Sequence, residues 1–328
     1  MKILFFPFGT IYTPSSRTRC FIVSDTLKNA GVKTKICGSR KIRGKINILL
    51  KFIDLVTHLP FYDILYFNKS AHWSTYFFVK FAHWLKKKVV IDIDDSEFLK
   101  NRYYDLFFKK CDAVIAGSHF IFKYAKKFNK NVYLAPTSVN PQDYVEHKDL
   151  EKDNVVIGWT GTAGNINYLK IVEEPLKDLL KKYKIIVRVI ADRNKTQDLK
   201  IPIDFVRWSL EKGNEEISKF DIGIMPLEDT EWERGKCALK AIEYMASRIP
   251  VVISAVGENR YLVKEGKNGF LARTKKEWEL KLEKLIRDKE LRVRIANEGF
   301  KTVTEMYDVS KNSLKLKKIL SYLLESTM

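Results

Sequence analysis

The sequence predicts an α/β protein built from two doubly wound parallel sheets. Short runs of β-branched and aromatic residues alternate with longer amphipathic stretches along the 328 residues, the pattern of parallel strands covered by helices on both faces. The alternation stops in a polar, acidic stretch with two prolines, residues 136–154, and then starts again. A chain of this length that is interrupted in this way is expected to form two domains.

The expected strands follow one another through both halves. In the first half they are KILFFP, TKICG, DILYFN, KKVVIDI, DAVIAG and NVYLAP, with helices over about 18–30, 46–58 and 73–86. In the second half they are NVVIGW, KIIVRVIA, IDFVRW, DIGIMPL and PVVIS, followed by helix from about 274 to 326. The predicted boundaries are a first domain over 1–140, a linker over 141–153, a second domain over 154–305 and a helix over 306–328 that packs back toward the first domain.

The positive charge is concentrated in the first half of the chain. Residues 1–150 contain 25 Lys and Arg against 12 Asp and Glu, and the remainder contains 34 against 28. Such a surface attracts nucleic acid, an anionic membrane or phosphorylated small molecules. Because no motif of a nucleic-acid-binding protein accompanies the charge, nucleic acid is not the expected partner.

Cysteine spacing and the N-terminus indicate a reducing compartment. The four cysteines stand singly, without the spacing of a zinc or redox site, and are expected to be buried and reduced. No stretch is apolar enough to span a bilayer, and the N-terminal apolar run is too short for a signal peptide. The sequence therefore predicts a cytoplasmic protein.

The segment Asp221–Ala272 has the features of a nucleotide site. It contains two glycine turns, 234–236 and 255–258, at expected strand-to-helix junctions. Backbone N–H groups at such a junction and a nearby lysine stabilise phosphates, and a carboxylate such as Glu243 accepts hydrogen bonds from ribose hydroxyls. The segment therefore predicts a ligand that contains a nucleotide.

Charged residues of this segment are spaced for a single helix. Separations of four and three residues predict one helical face for Lys236, Lys240 and Glu243, with Lys236 in the first turn. Lysines near a helix N-terminus oppose its dipole, and a bound diphosphate would remove that cost. A solvated face with a Lys/Glu pair is the alternative.

A glycine-rich loop is expected after the first strand of the second domain. Its small residues would let the backbone approach a ligand closely, although a plain strand-to-helix turn is the alternative. The residues concerned are Gly158, Trp159, Thr160, Gly161 and Thr162.

The run DIGIMPLEDTEWERGKCALKAIEYMASRIPVV resembles the donor-binding segment of glycosyltransferase family 4, a group with the GT-B fold. It is most similar to a subgroup with an R-G-K…E-Y-M-A pattern, and VVIGWTGTAGNINYL, KKVVIDIDDSEF and VYLAPTSVN agree with that subgroup. The resemblance covers nearly the whole chain and implies two Rossmann-like domains that face each other across a cleft.

The activity that the resemblance implies is sugar transfer from a UDP- or GDP-linked nucleotide sugar. The anomeric configuration would be retained, and the acceptor would be a glycan or a lipid-linked molecule of cell-surface polysaccharide assembly. Neither a metal nor a cofactor is implied, because the nucleotide sugar is a co-substrate. A nucleotide-sugar epimerase on the same fold and a catalytically silent nucleotide-sugar-binding module are the alternatives.

The family's E-x7-E motif is incomplete here. Glu243 matches its second glutamate, which binds the ribose, but Gly235 stands where the first is expected. The contact of that first glutamate with the donor hexose would be absent, or would come from Glu231 or Glu233 on the same loop.

The family's usual Arg/Lys pair is also missing. Its charge-neutralising role would fall to Lys236, assisted by Lys240 or Arg234. The second turn, with Gly257 and Glu258, would add backbone N–H groups at the phosphates.

The first domain is expected to bind the acceptor. Its first loop begins near Gly9 and ends in Arg17 and Arg19, which suit a phosphate or other anion, unless they form a solvated first turn. Asp94 and Asp95 occupy a loop where many relatives have a histidine. They are expected to contact a sugar or acceptor hydroxyl, or to cap a helix, rather than to bind Mg²⁺.

Two stretches suit the surface of an anionic bilayer. Residues 70–88 place Trp73, Phe77, Phe81 and Trp84 at helical spacing and end in three lysines, and IRGKINILLKFIDL is similarly basic and apolar. A stripe that faces the core is the alternative to peripheral membrane contact.

Overall fold

The chain folds into two compact units, each built on one sheet. The computed structural model describes residues 1–37, 45–69, 71, 73–147 and 153–326, with all side chains in these ranges except those of 45–51, 73 and 74. The first unit contains Met1–Ser138, Arg234–Cys237 and Val309–Met328, and the second contains Val139–Glu233 and Ala238–Asp308. Residues 148–152 of the expected linker lie outside the described residues.

The first unit contains a parallel sheet of six strands in the order β2-β1-β3-β4-β5-β6. The strands are β1 (Lys2–Phe6), β2 (Lys33–Ile36), β3 (Ile64–Asn68), β4 (Lys88–Ile93), β5 (Ala113–Ala116) and β6 (Val132–Leu134). All five residues of β3 are buried, as expected of a central strand covered on both faces. The strand order reverses between β1 and β3, and in such sheets the crevice outside this point is the usual ligand site.

Helices cover both faces of the first sheet. They are α1 (Pro14–Ser16), α2 (Ile22–Asn29), α3 (Lys45–His58), α4 (Trp73–Trp84), α5 (Tyr103–Lys110) and α6 (His119–Ala125), with a π-helical turn over Arg17–Phe21 and 3-10 turns over Leu59–Phe61 and Glu97–Leu99. Ser118 caps α6 by accepting a hydrogen bond from the Ile121 amide.

The second unit contains a parallel sheet of six strands in the order β12-β11-β10-β7-β8-β9. The strands are β7 (Val155–Gly161), β8 (Ile185–Ala191), β9 (Asp204–Arg207), β10 (Ile222–Met225), β11 (Val251–Ser254) and β12 (Phe270–Ala272). Counted from β7, this is the 3-2-1-4-5-6 order of dinucleotide-binding sheets, with the reversal between β7 and β10. Our sequence analysis missed β12, because three residues are too few to show a pattern.

The helices of the second unit include the donor-like segment predicted above. They are α7 (Glu173–Lys182), α8 (Gly213–Ile217), α9 (Glu231–Arg234), α10 (Leu239–Ala246), α11 (Asn259–Leu262), α12 (Lys275–Arg287) and α13 (Lys289–Thr302), with 3-10 turns over Pro141–Asp143 and Ala163–Ile171 and a π-helical turn over Val303–Tyr307. Asp288 caps α13 by accepting a hydrogen bond from the Leu291 amide. The same residue follows the last residue of α12, so α12 ends and α13 begins on either side of it.

The last helix, α14 (Val309–Glu325), belongs to the first unit. Its buried leucines, Leu316, Leu320 and Leu323, lie in one apolar cluster with Leu27 of α2. The Lys317 ammonium donates to the Ala30 carbonyl at 2.7 Å.

The predicted fold class is confirmed by the two six-stranded parallel sheets, their covering helices and the helical C-terminal segment. All four cysteines are buried and none forms a disulfide. In the described part of the chain, no helix is long and apolar enough to cross a membrane.

Candidate functional site

Loops from three strands of the first sheet meet at its carboxyl edge. Asp94 and Asp95 directly follow β4, Lys69 follows β3, and Ser15 lies in α1 after β1. The Lys69 ammonium lies 3.0 Å from Oδ1 of Asp94 and 2.5 Å from Oδ2 of Asp95. The Ser15 hydroxyl donates to Oδ1 of Asp94 at 2.7 Å. The two predicted aspartates therefore lie together with a lysine and a serine.

Lys69 was missed by the sequence analysis. We considered the loops after β1 and β4 but not the one after β3, although Asn68 and Lys69 stand directly at the end of the strand DILYFN. The position at the carboxyl end of a central strand was the available signal.

Opposite charges determine the ionisation of this group. Burial lowers the pKa of Lys69, but Asp94 and Asp95 raise it more, so that it lies above its ordinary value. Burial raises the pKa of Asp94, but Lys69, then Arg19 and the hydroxyl of Ser15 lower it more, so that it lies below its ordinary value. The ammonium and the Asp94 carboxylate are therefore both charged at neutral pH.

Arg19 lies in the interior of the first unit. Its guanidinium donates to both carboxylate oxygens of Asp92, at 2.7 and 2.8 Å, and to the carbonyl of Ala135 at 2.8 Å. The hydroxyl of Tyr66 also donates to Asp92. Burial raises the pKa of Asp92 even against the attraction of Arg19. The expected role of Arg19 in binding an acceptor's anion does not fit this geometry, because its donors are used by Asp92 and Ala135.

The other two predicted acceptor residues lie in the loop after β1. The Gly9 amide donates to the Ser16 hydroxyl at 2.8 Å, and a Cβ at this position would lie 2.2 Å from Oγ1 of Thr13. Glycine is therefore needed for a tight turn. Arg17 lies over the same loop, with Nη1 3.5 Å from the Ile11 carbonyl.

The segment Arg234–Cys237 is part of the first unit. The Lys236 ammonium lies 3.7 Å from Oδ1 of Asp95. The Ser118 hydroxyl donates to the Gly235 carbonyl at 3.1 Å. A Cβ at Gly235 would lie 1.9 Å from the hydroxyl oxygen of Ser96, so a glutamate cannot occupy this position without displacing the loop. This contact is consistent with the glycine found here.

Lys236 does not share a helix with Lys240, contrary to our expectation. The helix α10 begins at Leu239, and Ala238 before it has a φ of 56°, which an α-helix cannot include. Lys240 and Glu243 remain in α10, in the second unit. The prediction of one face is therefore correct for Lys240 and Glu243 and wrong for Lys236.

The expected glycine-rich loop is largely strand. Because β7 continues to Gly161, the residues Gly158, Trp159 and Thr160 pair with β8 and only Thr162 lies in the loop. Trp159 is buried in the core of the second unit. The β-branched and aromatic side chains of this stretch favour a strand, which explains the extension.

Two glycines allow α10 to lie against the switch point of the second sheet. Gly158 of β7 pairs with Gly223 of β10, and a Cβ on them would lie 2.0 Å from the Phe220 ring and 2.4 Å from the Tyr244 ring. The Thr160 amide donates to the hydroxyl of Tyr244 at 2.8 Å. Tyr244 of α10 is thereby held directly on the strands.

This packing determines where the charged residues of α10 lie. The Lys240 ammonium lies 5.6 Å from the centroid of the Trp159 ring, and its Cε would be 2.8 Å from a Cβ at Gly161. The Glu243 carboxylate is buried and accepts a hydrogen bond from the Tyr144 hydroxyl at 3.4 Å. The Lys240 ammonium thus lies beside the end of β7, and the Glu243 carboxylate lies one helical turn further along α10.

Of the two glutamates that could replace the missing one, Glu233 is the more buried. Its carboxylate is 6% exposed and accepts hydrogen bonds from the hydroxyls of Tyr168 and Thr230. Tyr168 follows β7 and Thr230 follows β10, the two strands of the switch point. Glu231 is exposed.

The turn after β11 has the expected glycine conformation. Gly257 has a φ of 49°, which favours glycine, and Glu258 after it is buried. The helix α11 that follows has only four residues. Within the described residues, no group of three or more His, Cys, Asp or Glu side chains is arranged to hold a metal ion.

Known proteins resemble both the sequence of the second unit and the whole fold. Residues 207–302 match the family model of the glycosyl transferases group 1. HepE of Anabaena, solved with UDP and glucose, has a TM-score of 0.74 at 16% identity, with 98% of this chain and 99% of HepE covered. Sucrose-phosphate synthase of Thermosynechococcus elongatus has a TM-score of 0.75 at 13% identity, over 99% and 100% of the two chains.

A third structure is similar over the full length of both chains. The apo form of WaaB, described as a lipopolysaccharide outer core galactosyltransferase, has a TM-score of 0.65 at 16% identity and is covered completely. No curated protein sequence matches the chain. The structural matches show the GT-B fold, and the family match over residues 207–302 is to the glycosyl transferases group 1.

Proposed function

We propose that the protein is a retaining glycosyltransferase that uses a UDP- or GDP-linked sugar as donor. The observation that carries the proposal is the placement of α10: Gly223 admits the Tyr244 ring at the switch point, Lys240 lies beside Gly161 at the end of β7, and Glu243 follows one helical turn later. The match of residues 207–302 to group 1 glycosyltransferases covers α10. The complex of HepE with UDP and glucose supports a nucleotide sugar as the donor.

The donor is held by charge and by hydrogen-bond acceptors. The buried carboxylate of Glu243 accepts hydrogen bonds from the ribose hydroxyls. The Lys240 ammonium and the backbone N–H groups near Gly257 stabilise the diphosphate. Thr162, at the end of β7, and Glu258 complete the edge on which the donor lies.

The contact with the donor hexose is assigned to Glu233. Tyr168 and Thr230 hold its carboxylate beside the switch point, and this order supports Glu233 over the exposed Glu231. A carboxylate that is already oriented loses little entropy when it accepts a sugar hydroxyl.

The reaction breaks the bond between the sugar's anomeric carbon and the diphosphate. Negative charge builds on the leaving diphosphate, and preorganised cations stabilise it more in the transition state than in the ground state. The acceptor hydroxyl attacks from the same face, and its proton passes to the leaving phosphate oxygen. The anomeric configuration is retained, and no metal is needed to stabilise the leaving group.

The acceptor is a glycan or a lipid-linked sugar of cell-surface polysaccharide assembly, bound on the first unit near Asp94 and Asp95. The similarity to WaaB, described as a lipopolysaccharide galactosyltransferase, supports this acceptor class.

Nucleotide binding is tested by thermal unfolding with UDP and with GDP. A nucleotide at one hundred times its Kd is expected to stabilise the protein by about 2.7 kcal/mol. Glu243→Gln is expected to weaken binding about tenfold to a hundredfold, because a charged hydrogen-bond acceptor is lost. Glu146→Gln, an exposed glutamate of the second unit, is the control. No stabilisation of the wild type by either nucleotide would contradict the donor site.

The hexose contact is tested with UDP-glucose against UDP. Glu233→Gln is expected to lose the additional affinity for UDP-glucose while UDP binds as before, and Glu231→Gln is the matched control. Mass spectrometry of products formed with cell-extract glycans separates transfer from epimerisation, which needs no acceptor, and from binding without turnover.

Peripheral contact with an anionic bilayer on the cytoplasmic side is part of the same proposal. On α4, Phe77 and Trp84 are 61% and 75% exposed, two helical turns apart, with the exposed Lys80 between them. Aromatic rings beside lysines suit the lipid headgroup region. Of the other two aromatic residues of the predicted stripe, Phe81 is partly buried against the core, and the structure does not describe the side chain of Trp73. Residues 70 and 72 of the first predicted stretch and 42–44 of the second lie outside the described residues.

Vesicle sedimentation tests this contact. Binding to vesicles with phosphatidylglycerol is expected to exceed binding to phosphatidylcholine vesicles and to fall with salt. Trp84→Ser is expected to weaken binding, whereas Tyr322→Ser, which replaces an aromatic that is 64% exposed on α14, is not. Equal binding by wild type and Trp84→Ser would contradict the assignment.

A further inference from the structure

The backbone of Lys69 has a conformation that favours glycine. Its φ is 51°, in the left-handed region, where a side chain costs energy. Neighbours hold it there: the Lys69 amide donates to the Asp92 carbonyl at 3.0 Å, and the Tyr104 hydroxyl donates to the Lys69 carbonyl at 2.9 Å. An interaction of the ammonium adds to these hydrogen bonds in offsetting the cost.

That interaction is with the two aspartates after β4. Lys69 is 8% exposed, and its ammonium reaches both Asp94 and Asp95. Within the described residues, the Ser15 hydroxyl and the Lys69 ammonium both contact Oδ1 of Asp94. These two donors orient the carboxylate through Oδ1, and the Asp94 side chain remains 11% exposed.

The charges of the group indicate which ligand fits. Asp94 and Asp95 carry two negative charges, and Lys69 and Lys236 supply two positive charges at 2.5 to 3.7 Å. The Asp94 carboxylate accepts hydrogen bonds and repels anions. A neutral molecule with hydroxyl groups is therefore favoured over one that presents a phosphate here.

We infer that Lys69 is the positioning residue of the acceptor site: it orients the Asp94 carboxylate to accept a hydrogen bond from a sugar hydroxyl of the acceptor. The inference rests on the proposed transferase function and adds to it the residue that orients the acceptor ligand and the neutral, polyhydroxylated character of the group bound there. Lys69 acts through Asp94 and does not itself touch the acceptor.

Lys69→Met removes the ammonium and keeps the length of the side chain. Transfer from UDP-glucose to p-nitrophenyl glycosides is expected to lose about a hundredfold in kcat/KM for the acceptor, because a misplaced contact group costs about that much. Stabilisation by UDP and donor hydrolysis are expected to stay within about twofold of wild type, because donor contacts are untouched. Lys69→Arg keeps the charge and is expected to recover most of the loss.

Two further variants separate positioning from folding. Lys69→Gly relieves the left-handed conformation and is expected to stay folded while losing transfer as Lys69→Met does. Lys28→Met, an exposed lysine paired with Asp25, is the control for loss of a surface charge.

A second measurement does not depend on an accepted glycoside. In ¹³C NMR of the labelled carboxyl groups, Lys69→Met is expected to raise the pKa of Asp94, because a positive charge 3.0 Å away is removed. An unchanged Asp94 titration, or equal losses of UDP stabilisation and acceptor kcat/KM, would overturn the inference. Failure of the wild type to bind any nucleotide would instead contradict the proposed function.

Discussion

The carboxyl edges of the two sheets are held together by different interactions. At the first edge, buried ion pairs connect the strands: Arg19 pairs with Asp92, and Lys69 pairs with Asp94. In the second sheet, close apolar contacts connect the strands behind this edge, since Gly158 in the middle of β7 and Gly223 near the start of β10 admit the rings of Phe220 and Tyr244. Ion pairs at the second edge, such as Arg260 with Asp229, are exposed.

This difference fits two kinds of ligand. A site lined by paired charges already has its electrostatics balanced and suits a neutral ligand with hydroxyl groups. A site of closely packed backbone, with Lys240 and Glu243 beside it, suits a ligand that brings its own negative charge and a ribose. The same strand-and-helix architecture thus supports two different chemistries, which side-chain replacements can separate.

The largest effect is expected from breaking the buried ion pair of the first unit. Arg19→Met leaves Asp92 buried without its partner and is expected to lower the free energy of unfolding by about 3–5 kcal/mol. Urea unfolding followed by circular dichroism measures it. Arg17→Met, in the same loop but more exposed, is the control, and equal effects of the two would contradict the comparison.

The next effect is expected from adding one methyl group inside the second sheet, behind its carboxyl edge. Gly158→Ala places a Cβ 2.0 Å from the Phe220 ring and is expected to cost about 1–3 kcal/mol through overpacking. Gly164→Ala, where a Cβ meets nothing within 4 Å, is the matched control. Thermal unfolding compares the two, and a neutral Gly158→Ala would show that close packing does not hold this edge.

The acid dependence of the first edge is expected to come from Asp94. Asp94→Asn is expected to cost about 1.5–3 kcal/mol at pH 7, because charged hydrogen bonds from Ser15 and Lys69 are lost. Since the folded pKa of Asp94 lies below its ordinary value, its carboxylate stabilises the unit above about pH 4, and this stabilisation is lost as the pH falls through the folded pKa. The difference between wild type and variant should therefore narrow below about pH 4.

The control for the pH series is Asp229→Asn at the second edge, where the carboxylate is exposed. This variant is expected to change the free energy of unfolding by less than about 0.5 kcal/mol, both at pH 7 and below about pH 4. A difference between wild type and Asp94→Asn that stayed constant down to pH 3 would assign the loss to shape rather than charge.

The smallest effect on stability is expected from Lys240. Lys240→Met removes a cation 5.6 Å from the Trp159 ring and is expected to cost about 0.5–1 kcal/mol. The same variant is expected to lose much of the stabilisation by UDP, because the lysine serves the ligand more than the fold. A large loss of stability with UDP binding intact would reverse this assignment.

The sequence predicted most of the fold because its signals are local. Runs such as DILYFN and KKVVIDI each predict a strand from their own residue types, and the alternation of strands and helices predicts parallel sheets. The carboxyl edge was also predictable as the place of Asp94 and Asp95, since they follow a strand directly. The predicted strand NVVIGW ends at Trp159, and the further extension of β7 through Thr160 and Gly161 was not predicted, because the glycines there suggested a loop.

What the sequence by itself determined is the alternation that makes two parallel sheets, together with the glycine and charge pattern of the nucleotide-like segment. Only the tertiary structure decided that Arg19 pairs with Asp92, 73 residues away, that Lys69 joins Asp94, and that Gly235 lies against Ser96 in the first unit. The physical reason is range. Strand and helix patterns depend on neighbours within a few residues, whereas an ion pair depends on which strands the sheet order places side by side.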